Sequence, residues 1–236
     1  MPRHARLRIA GLPLHIMQRG NNRGGCFFEE RDYVLYLGLL EELGCLFRCA
    51  LHAYVLMTNH VHLLLTPQDI DGASHLMKHV GQRYAQHVNR NYGRTGSLWE
   101  GRFRSSLVDS DTYLMRCYRY IESNPVRAGM VTHPGQYPWS SYSANAEGRQ
   151  CALVQPHRNF LALGHGSEER LERYRALIHE PLTPTQLQEI RDAANGGFAL
   201  GSQAFVDDLQ RQLNQRATRG FPGRPSKNRG QTTFSR

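Results

Sequence analysis

The sequence predicts an α+β fold: a ferredoxin-like split βαβ sandwich with one antiparallel sheet and helices on one face. An added tyrosine-bearing helix and a small C-terminal helical extension complete it. Three observations predict this. Short runs near 14–18, 49–57, 60–66 and 97–108 carry the apolar or alternating patterns of strands. Two longer stretches, 29–48 and 74–91, repeat apolar residues every three or four positions, the period of a helix. Their order is β-α-β-β-α-β and then a further helix.

The elements follow in turn. Residues 14–18 read as a short strand. The Arg-Gly-Asn-Asn-Arg-Gly-Gly stretch at 19–25 reads as a loop, because Gly and Asn tolerate positive φ. Tyr33, Leu37, Leu40, Gly44 and Phe47 mark one face of the first helix. Residues 49–57 are mostly apolar and read as a buried strand. Thr58 and Asn59 make a tight turn, so 60–66 returns as the second arm of a hairpin. Leu76, Val80, Tyr84 and Val88 form the ridge of the second helix. Residues 97–108 read as the last strand. Asp109, Ser110 and Asp111 can cap a third helix that ends ahead of Pro125. That helix has the sheet's edge or its open face to pack on. A Pro- and Ser-rich closing loop runs to about 148. Short helices are expected at 167–178, 183–195 and 202–214, and Gly196-Gly197 separates the last two. The expected organisation is a main domain over 1–148, a helical extension over 149–214 and a basic tail, disordered alone, over 215–236.

Composition sets the class. With 236 residues, 40% hydrophobic and 21% charged, the chain suits a soluble globular domain with an appendage. No apolar run approaches the ~20 residues of a transmembrane helix. Residues 1–10 are basic without a signal peptide's apolar core. A cytoplasmic, nucleoid-associated protein with no membrane partner is expected. Five cysteines without a CxxC pair point to reduced thiols. Lys and Arg number 29 against 20 acidic residues, a net charge of +9. The last 22 residues hold six of those bases and no acid, so the rest of the chain has 23 against 20. A polyanionic partner explains this asymmetry, and so does a solubilising tail.

Two features carry chemistry. In His60-Val61-His62 the imidazoles lie at i and i+2 of a strand and project to one face, a half-site for a divalent metal. Spacing alone leaves open two histidines on a solvated face. On the third helix Tyr113, Arg116, Tyr120 and Asn124 share one stripe at ~100° per residue. Leu114, Tyr118 and Ile121 fall on another side, the core stripe. A tyrosine hydroxyl is a capable nucleophile where a metal activates the electrophile, and an amide one turn away offers an oxygen ligand. Half-buried tyrosines with hydrogen-bonded hydroxyls are the alternative.

Five segments, in order, resemble a known family. Tyr54-Val-Leu-Met-Thr-Asn-His-Val-His-Leu-Leu-Leu is similar to the His-hydrophobic-His segment of single-tyrosine (Y1) HUH transposases. Tyr120-Ile-Glu-Ser-Asn-Pro-Val-Arg-Ala-Gly is similar to their tyrosine-helix segment. Gln18-Arg-Gly-Asn-Asn-Arg-Gly, Leu98-Trp-Glu-Gly-Arg-Phe-Arg-Ser and Pro138-Trp-Ser-Ser-Tyr resemble the REP-associated tyrosine transposases, relatives of the IS200/IS605 enzymes. The resemblance runs from about residue 2 to 145 and makes 1–148 the catalytic domain. It implies that His60 and His62 hold Mg²⁺ or Mn²⁺. It implies Tyr120 as nucleophile, four residues before the Asn-Pro pair. Asn124 is implied as third metal ligand, where IS200-type relatives carry Gln. The implied activity is cleavage and rejoining of single-stranded DNA at REP- or BIME-like hairpins through a 5′-phosphotyrosine, by a monomer or homodimer.

Basic residues are candidate DNA contacts, each weighed against a plain surface role. Arg102 and Arg104 share a strand face by the period-2 rule, and Arg127 follows the tyrosine helix. Arg19 and Arg23 sit in the Gly-Asn loop. Arg3 and Arg6 belong to a basic arm at the end the family uses to read a guide tetranucleotide. Arg224, in Gly223-Arg224-Pro225, resembles an AT-hook core that enters a minor groove, with nonspecific phosphate binding as the alternative. Two competing readings remain: a non-catalytic regulator that binds single strands on the same fold, and a hydrolase using water as nucleophile. A covalent tyrosine adduct separates both from the transposase reading.

Overall fold

The computed structural model of the chain describes residues 6–109 and 113–218. Strand β1 (Leu14–Arg19) leads through a 3-10 turn at Asn21–Arg23 into helix α1 (Glu30–Leu46). The hairpin β2 (Cys49–Met57) and β3 (His60–Pro67) follows, then α2 (Gly72–Asn91) and β4 (Arg104–Leu107). The sheet order is β2-β3-β1-β4 and every pairing is antiparallel. Each helix thus carries the chain past one strand position, which is the split βαβ arrangement the sequence predicts.

Strand alternation gives the sheet two different faces. Leu14, Ile16, Val61, Leu63 and Leu65 pack with α1 and α2 around Tyr36, Leu40, Leu76, Val80 and Tyr84. Ala53, Val55, Leu64 and Val108 look the other way and pack against α3 (Leu114–Glu122). The added helix therefore takes the open face. Its predicted cap at Ser110 and Asp111 lies outside the described residues.

Later segments cover α3 and both sheet edges. After α4 (Asn124–Arg127), α5 (Tyr142–Glu147) and α6 (Arg158–Leu161) come α7 (Ser167–His179), α8 (Pro184–Gly196) and α9 (Gln203–Leu213). Phe160, Tyr174, Ile178, Ile190 and Ala193 share one core with Tyr118 and Ile121 of α3. Val206 and Leu209 of α9 reach the other core. α8 starts where its sequence dictates: Thr183 Oγ1 accepts from Gln186 N, Pro184 occupies the first turn, and Gly197 ends the helix at φ 70°. At the β2 edge, Leu56 N donates to Trp139 O (2.9 Å) and Ser141 N to Tyr54 O (3.0 Å). At the β4 edge, Leu200 N donates to Leu107 O (2.8 Å) and Asp109 N to Leu200 O (2.8 Å). Covered edges do not recruit foreign strands. All five cysteines are free thiols. Among the described residues no helix is long and apolar enough to cross a membrane.

One strand is shorter than expected. The pattern over 97–108 yields strand only at Arg104–Leu107. Ahead of it Gly101 takes φ 77° and interrupts the strand, so only an isolated antiparallel bridge of Trp99 to Gly20 remains, and the Trp99 Nε1–H donates to Gly81 O of α2 (3.1 Å). The closing loop also contains a helix, α5, capped by Gly148 at φ 73°.

Candidate active site between the sheet and the tyrosine helix

The face turned to α3 carries imidazoles. Met17 pairs with His62 and Arg19 with His60, so β1 and β3 bring His15, His60 and His62 to one patch. α3 lays Tyr120 on it. The Tyr120 ring lies 5.5 Å from that of His62 and 5.7 Å from that of His15, centroid to centroid. The His60 and His62 rings are 5.0 Å apart and perpendicular. Tyr120, His62 and His15 are buried, whereas His60 keeps partial solvent access at the hairpin turn.

Hydrogen bonds orient the imidazoles. His60 Nδ1–H donates to Asn59 Oδ1 (2.6 Å), since a carbonyl oxygen only accepts. This leaves the lone pair of His60 on Nε2. His62 Nδ1 lies 2.9 Å from His15 Nε2. When His62 donates there, its Nε2 is also free to ligate, and the His15 proton sits on Nδ1. That Nδ1 atom is buried without a hydrogen-bond partner, as is Ser106 Oγ, the residue opposite His15 on β4. Burial, with Arg19 adding repulsion, lowers His60 to about 4. Burial alone lowers His15 to about 4. His62 is lowered well below its ordinary value, by burial first and then by its two histidine neighbours. Neutral imidazoles with open Nε2 atoms are what a divalent cation requires, so the pair fits one. Among the described residues no three His, Cys, Asp or Glu side chains cluster as a metal site, so a cation there needs further oxygen ligands.

Tyr120 is held by Arg127 and by the anchoring of its helix through Glu122. The Arg127 guanidinium stands 4.3 Å from its ring centroid and donates to its main-chain carbonyl (2.5 Å). Burial lowers Arg127 to about 10, so it remains charged at neutral pH. Glu122, two residues on, is fully buried. It accepts from Ser141 Oγ (2.5 Å), Asn145 Nδ2 (2.7 Å) and Tyr174 Oη (2.6 Å), which ties α3 to α5 and α7. The helix then breaks at Ser123, and Pro125 sits in the first turn of α4. Asn124, expected on the same stripe as Tyr120, instead opens α4 and is half-buried. The side expected to lie away from the core is buried too, because the sheet covers Tyr120 while α6 and α7 cover Tyr118.

The basic candidates disperse. Arg19 ends β1 beside His60, and Arg23 follows in the turn that Asn59 Nδ2 holds through Arg23 O (3.1 Å). Gly20 is required there: a Cβ would stand 2.2 Å from Gly24 O. Arg102 is not on the strand with Arg104. It lies in the preceding bend and lines a cavity of about 380 Å³ with Arg6 and Arg8. Arg104 donates to Asn195 Oδ1 of α8 (2.9 Å). Arg6 stacks on Phe103 at 3.7 Å. Arg3 and Arg224 lie outside the described residues. Sequence reasoning missed His15 and Glu122. Strand alternation could have found His15, which sits between core-facing Leu14 and Ile16.

Residues 9–124 match the family model described as IS200-like transposase. A Haemophilus influenzae protein assigned to the REP-associated tyrosine transposases is 26% identical over 100 residues, 38% of this chain and 57% of its own. The match thus spans little more than half that relative's length. A solved REP-associated tyrosine transposase bound to a REP hairpin aligns with a TM-score of 0.54 at 19% identity, over 66% of this chain and 93% of its own. At that identity the likeness supports the fold alone.

Proposed function

We propose, from the match of residues 9–124 to the IS200-like transposase family model, that the chain is a metal-dependent single-tyrosine (HUH) transposase that cleaves and rejoins single-stranded DNA at REP-type hairpins. The observation that carries this is the Tyr120 ring set 5.5 Å from His62, with His60 alongside. In this reading His60 and His62, with Asn124, would hold Mg²⁺ or Mn²⁺, which when bound would supply Lewis-acid charge at the scissile phosphate. Tyr120 Oη attacks phosphorus in line. The Tyr–O–P bond forms as the P–O3′ bond breaks, and the phenolic proton passes through solvent to the departing 3′ oxygen. The products are a 5′-phosphotyrosine and a free 3′-OH. A 3′-OH attacking the same phosphorus reverses the step and releases Tyr120, so no ATP is consumed.

The rest of the chain positions these groups. His15 holds the His62 ring, Arg127 holds the Tyr120 ring, and Glu122 holds the helix. Arg19 and Arg23, at the hairpin turn, favour an approaching DNA backbone. The catalytic unit spans 1–148 and the helices over 149–214 brace it. Hairpin DNA as substrate is supported by the relative's assignment and by the hairpin in the solved neighbour.

A covalent-trapping gel tests the proposal. Protein, Mn²⁺ and a labelled single-stranded hairpin with its flanks, taken from repeats beside the gene, are mixed and denatured. A denaturant-resistant adduct that requires both Mn²⁺ and Tyr120, and is absent in Tyr120→Phe, is expected. Cleavage that survives Tyr120→Phe identifies a hydrolase. Tight hairpin binding with neither adduct nor cleavage identifies a binding protein.

A further inference from the structure

Arg119 of α3, the residue before Tyr120, and Ser123 at the helix end line a cavity of about 400 Å³. α4 adds Val126 and Arg127. The opposite wall, Ile178, Leu182 and Leu187, comes from the end of α7 and the start of α8, beyond the residues that match the family model. This cavity therefore joins the transposase segment to the helical extension.

Its lining is mixed, and includes His133, His179 and Glu180 beside an apolar part and a donor-bearing part. Val126, Ile178, Leu182 and Leu187 make an apolar slot. Arg119, Arg127 and the hydroxyls of Ser123 and Thr132 offer donors at its side. Arg119 donates an Nη2–H to Glu180 O, but its Nε–H is buried without a hydrogen-bond partner. An N–H of this lining guanidinium that has no acceptor within the chain favours an added oxygen acceptor. The volume lies low in the ~300–1,000 Å³ range of small-ligand pockets, which excludes a duplex and admits one planar ring with its phosphate. Arg127 belongs both to this lining and to the contact over the Tyr120 ring.

We propose that the cavity binds a single unpaired nucleotide of the strand that Tyr120 cleaves, its base in the apolar slot and its phosphate toward Arg119. The proposal rests on the transposase reading above. A base taken out of its stack regains apolar contact in such a slot, and the guanidinium meets its phosphate. The extension would then help to set which nucleotide lies next to the scissile bond.

The first test needs no catalysis. The full chain, labelled on Ile, Leu and Val methyls, is titrated with dTMP, dAMP and inorganic phosphate and followed by NMR. Both mononucleotides should shift the Ile178, Leu182 and Leu187 methyls at millimolar concentration, and inorganic phosphate should not. Leu187→Trp, which fills the slot, and Arg119→Gln, a milder change should that one misfold, should each weaken the response at least tenfold. No shift, or an equal shift with phosphate, overturns the proposal. The second test moves an abasic site along the hairpin's flanking strand. One position should slow adduct formation about tenfold in the wild type and add nothing to Leu187→Trp. A uniform response to the scan overturns the assignment to the cleaved strand. Adduct formation without mononucleotide binding removes the pocket and leaves the transposase. Mononucleotide binding without any adduct on the cognate hairpin removes the transposase reading and with it the link to a cleaved strand.

Discussion

Replacing Glu122 by glutamine should make the protein's stability less sensitive to pH, with the gain appearing at neutral and alkaline pH. The carboxyl is wholly buried, and burial pushes it up to about 7. The donors Ser141, Tyr174 and Asn145 pull it down without overcoming that effect. In the unfolded chain the group returns to about 4.5. Between these values the unfolded chain holds fewer protons, so stability falls as pH rises. The favourable contribution is full below the unfolded value and is lost as pH climbs through the folded one. A difference of roughly 2.5 units corresponds to ~3.4 kcal/mol when fully developed. Between about pH 5 and about pH 8, the two-pKa linkage relation gives a loss of ~2.5 kcal/mol from this residue alone. Glu122→Gln removes the proton equilibrium but sets its own amide donors among the three, a pH-independent cost of ~1–3 kcal/mol. The quantity to measure is therefore the difference of differences. Urea unfolding of both proteins at the two pH values, followed by tryptophan fluorescence, supplies it. If wild type and variant change in parallel to within ~0.5 kcal/mol, burial does not outweigh the three donors and the reasoning fails.

Other perturbations have equally definite outcomes. His52 donates from Nδ1 to Gln155 O (2.6 Å) and its Nε2 pairs with Thr66 Oγ1 (2.8 Å), while burial lowers it to about 4. Its contribution is present above the unfolded value near 6.5 and is lost as pH falls toward 4. His52→Gln should flatten acid unfolding by up to ~3 kcal/mol, and an unchanged acid limb contradicts this. His15→Phe keeps a ring in the core but removes the Nε2 atom that pairs with His62 Nδ1. Mn²⁺ affinity, read by electron paramagnetic resonance, should fall ~10–100-fold with little change in Tm, and equal affinity would show that His15 does not orient His62. Gly20→Ala drives a Cβ into Gly24 O, so calorimetry should record a loss of ~1–3 kcal/mol. An unaltered Tm would mean that the turn relaxes freely.

The sequence carried the sheet and its helices because each used one clear period. The strand pair around Thr58-Asn59 and the ridge from Leu76 to Val88 lie where their patterns put them. The tract at 97–108 misled for a physical reason. Trp99 and Phe103 look like residues of one continuous strand, but the bend at Gly101 separates the Trp99–Gly20 bridge from β4, and the two rings pack against α2 and Arg6. His60, His62 and Tyr120 were nameable because local spacing and motif order point to them. Arg102 and Arg104 obey the period-2 rule only inside a strand, and the strand starts between them. His15 and Glu122 resisted because their significance depends on partners 47, 19, 23 and 52 residues away. No local pattern encodes that a carboxylate will meet Tyr174.

The clamp on α3 also fixes the molecularity of the proposed chemistry. One face of the helix is pinned to the sheet through Tyr120 and the other to α5 and α7 through Glu122. If Tyr120 is the nucleophile proposed above, it and the imidazoles would act from one chain, because swinging the helix to a second copy would strip three hydrogen bonds from a buried carboxyl. With hairpin DNA saturating, the adduct should form at a rate per molecule that stays constant across dilution, a first-order process that no encounter between proteins limits.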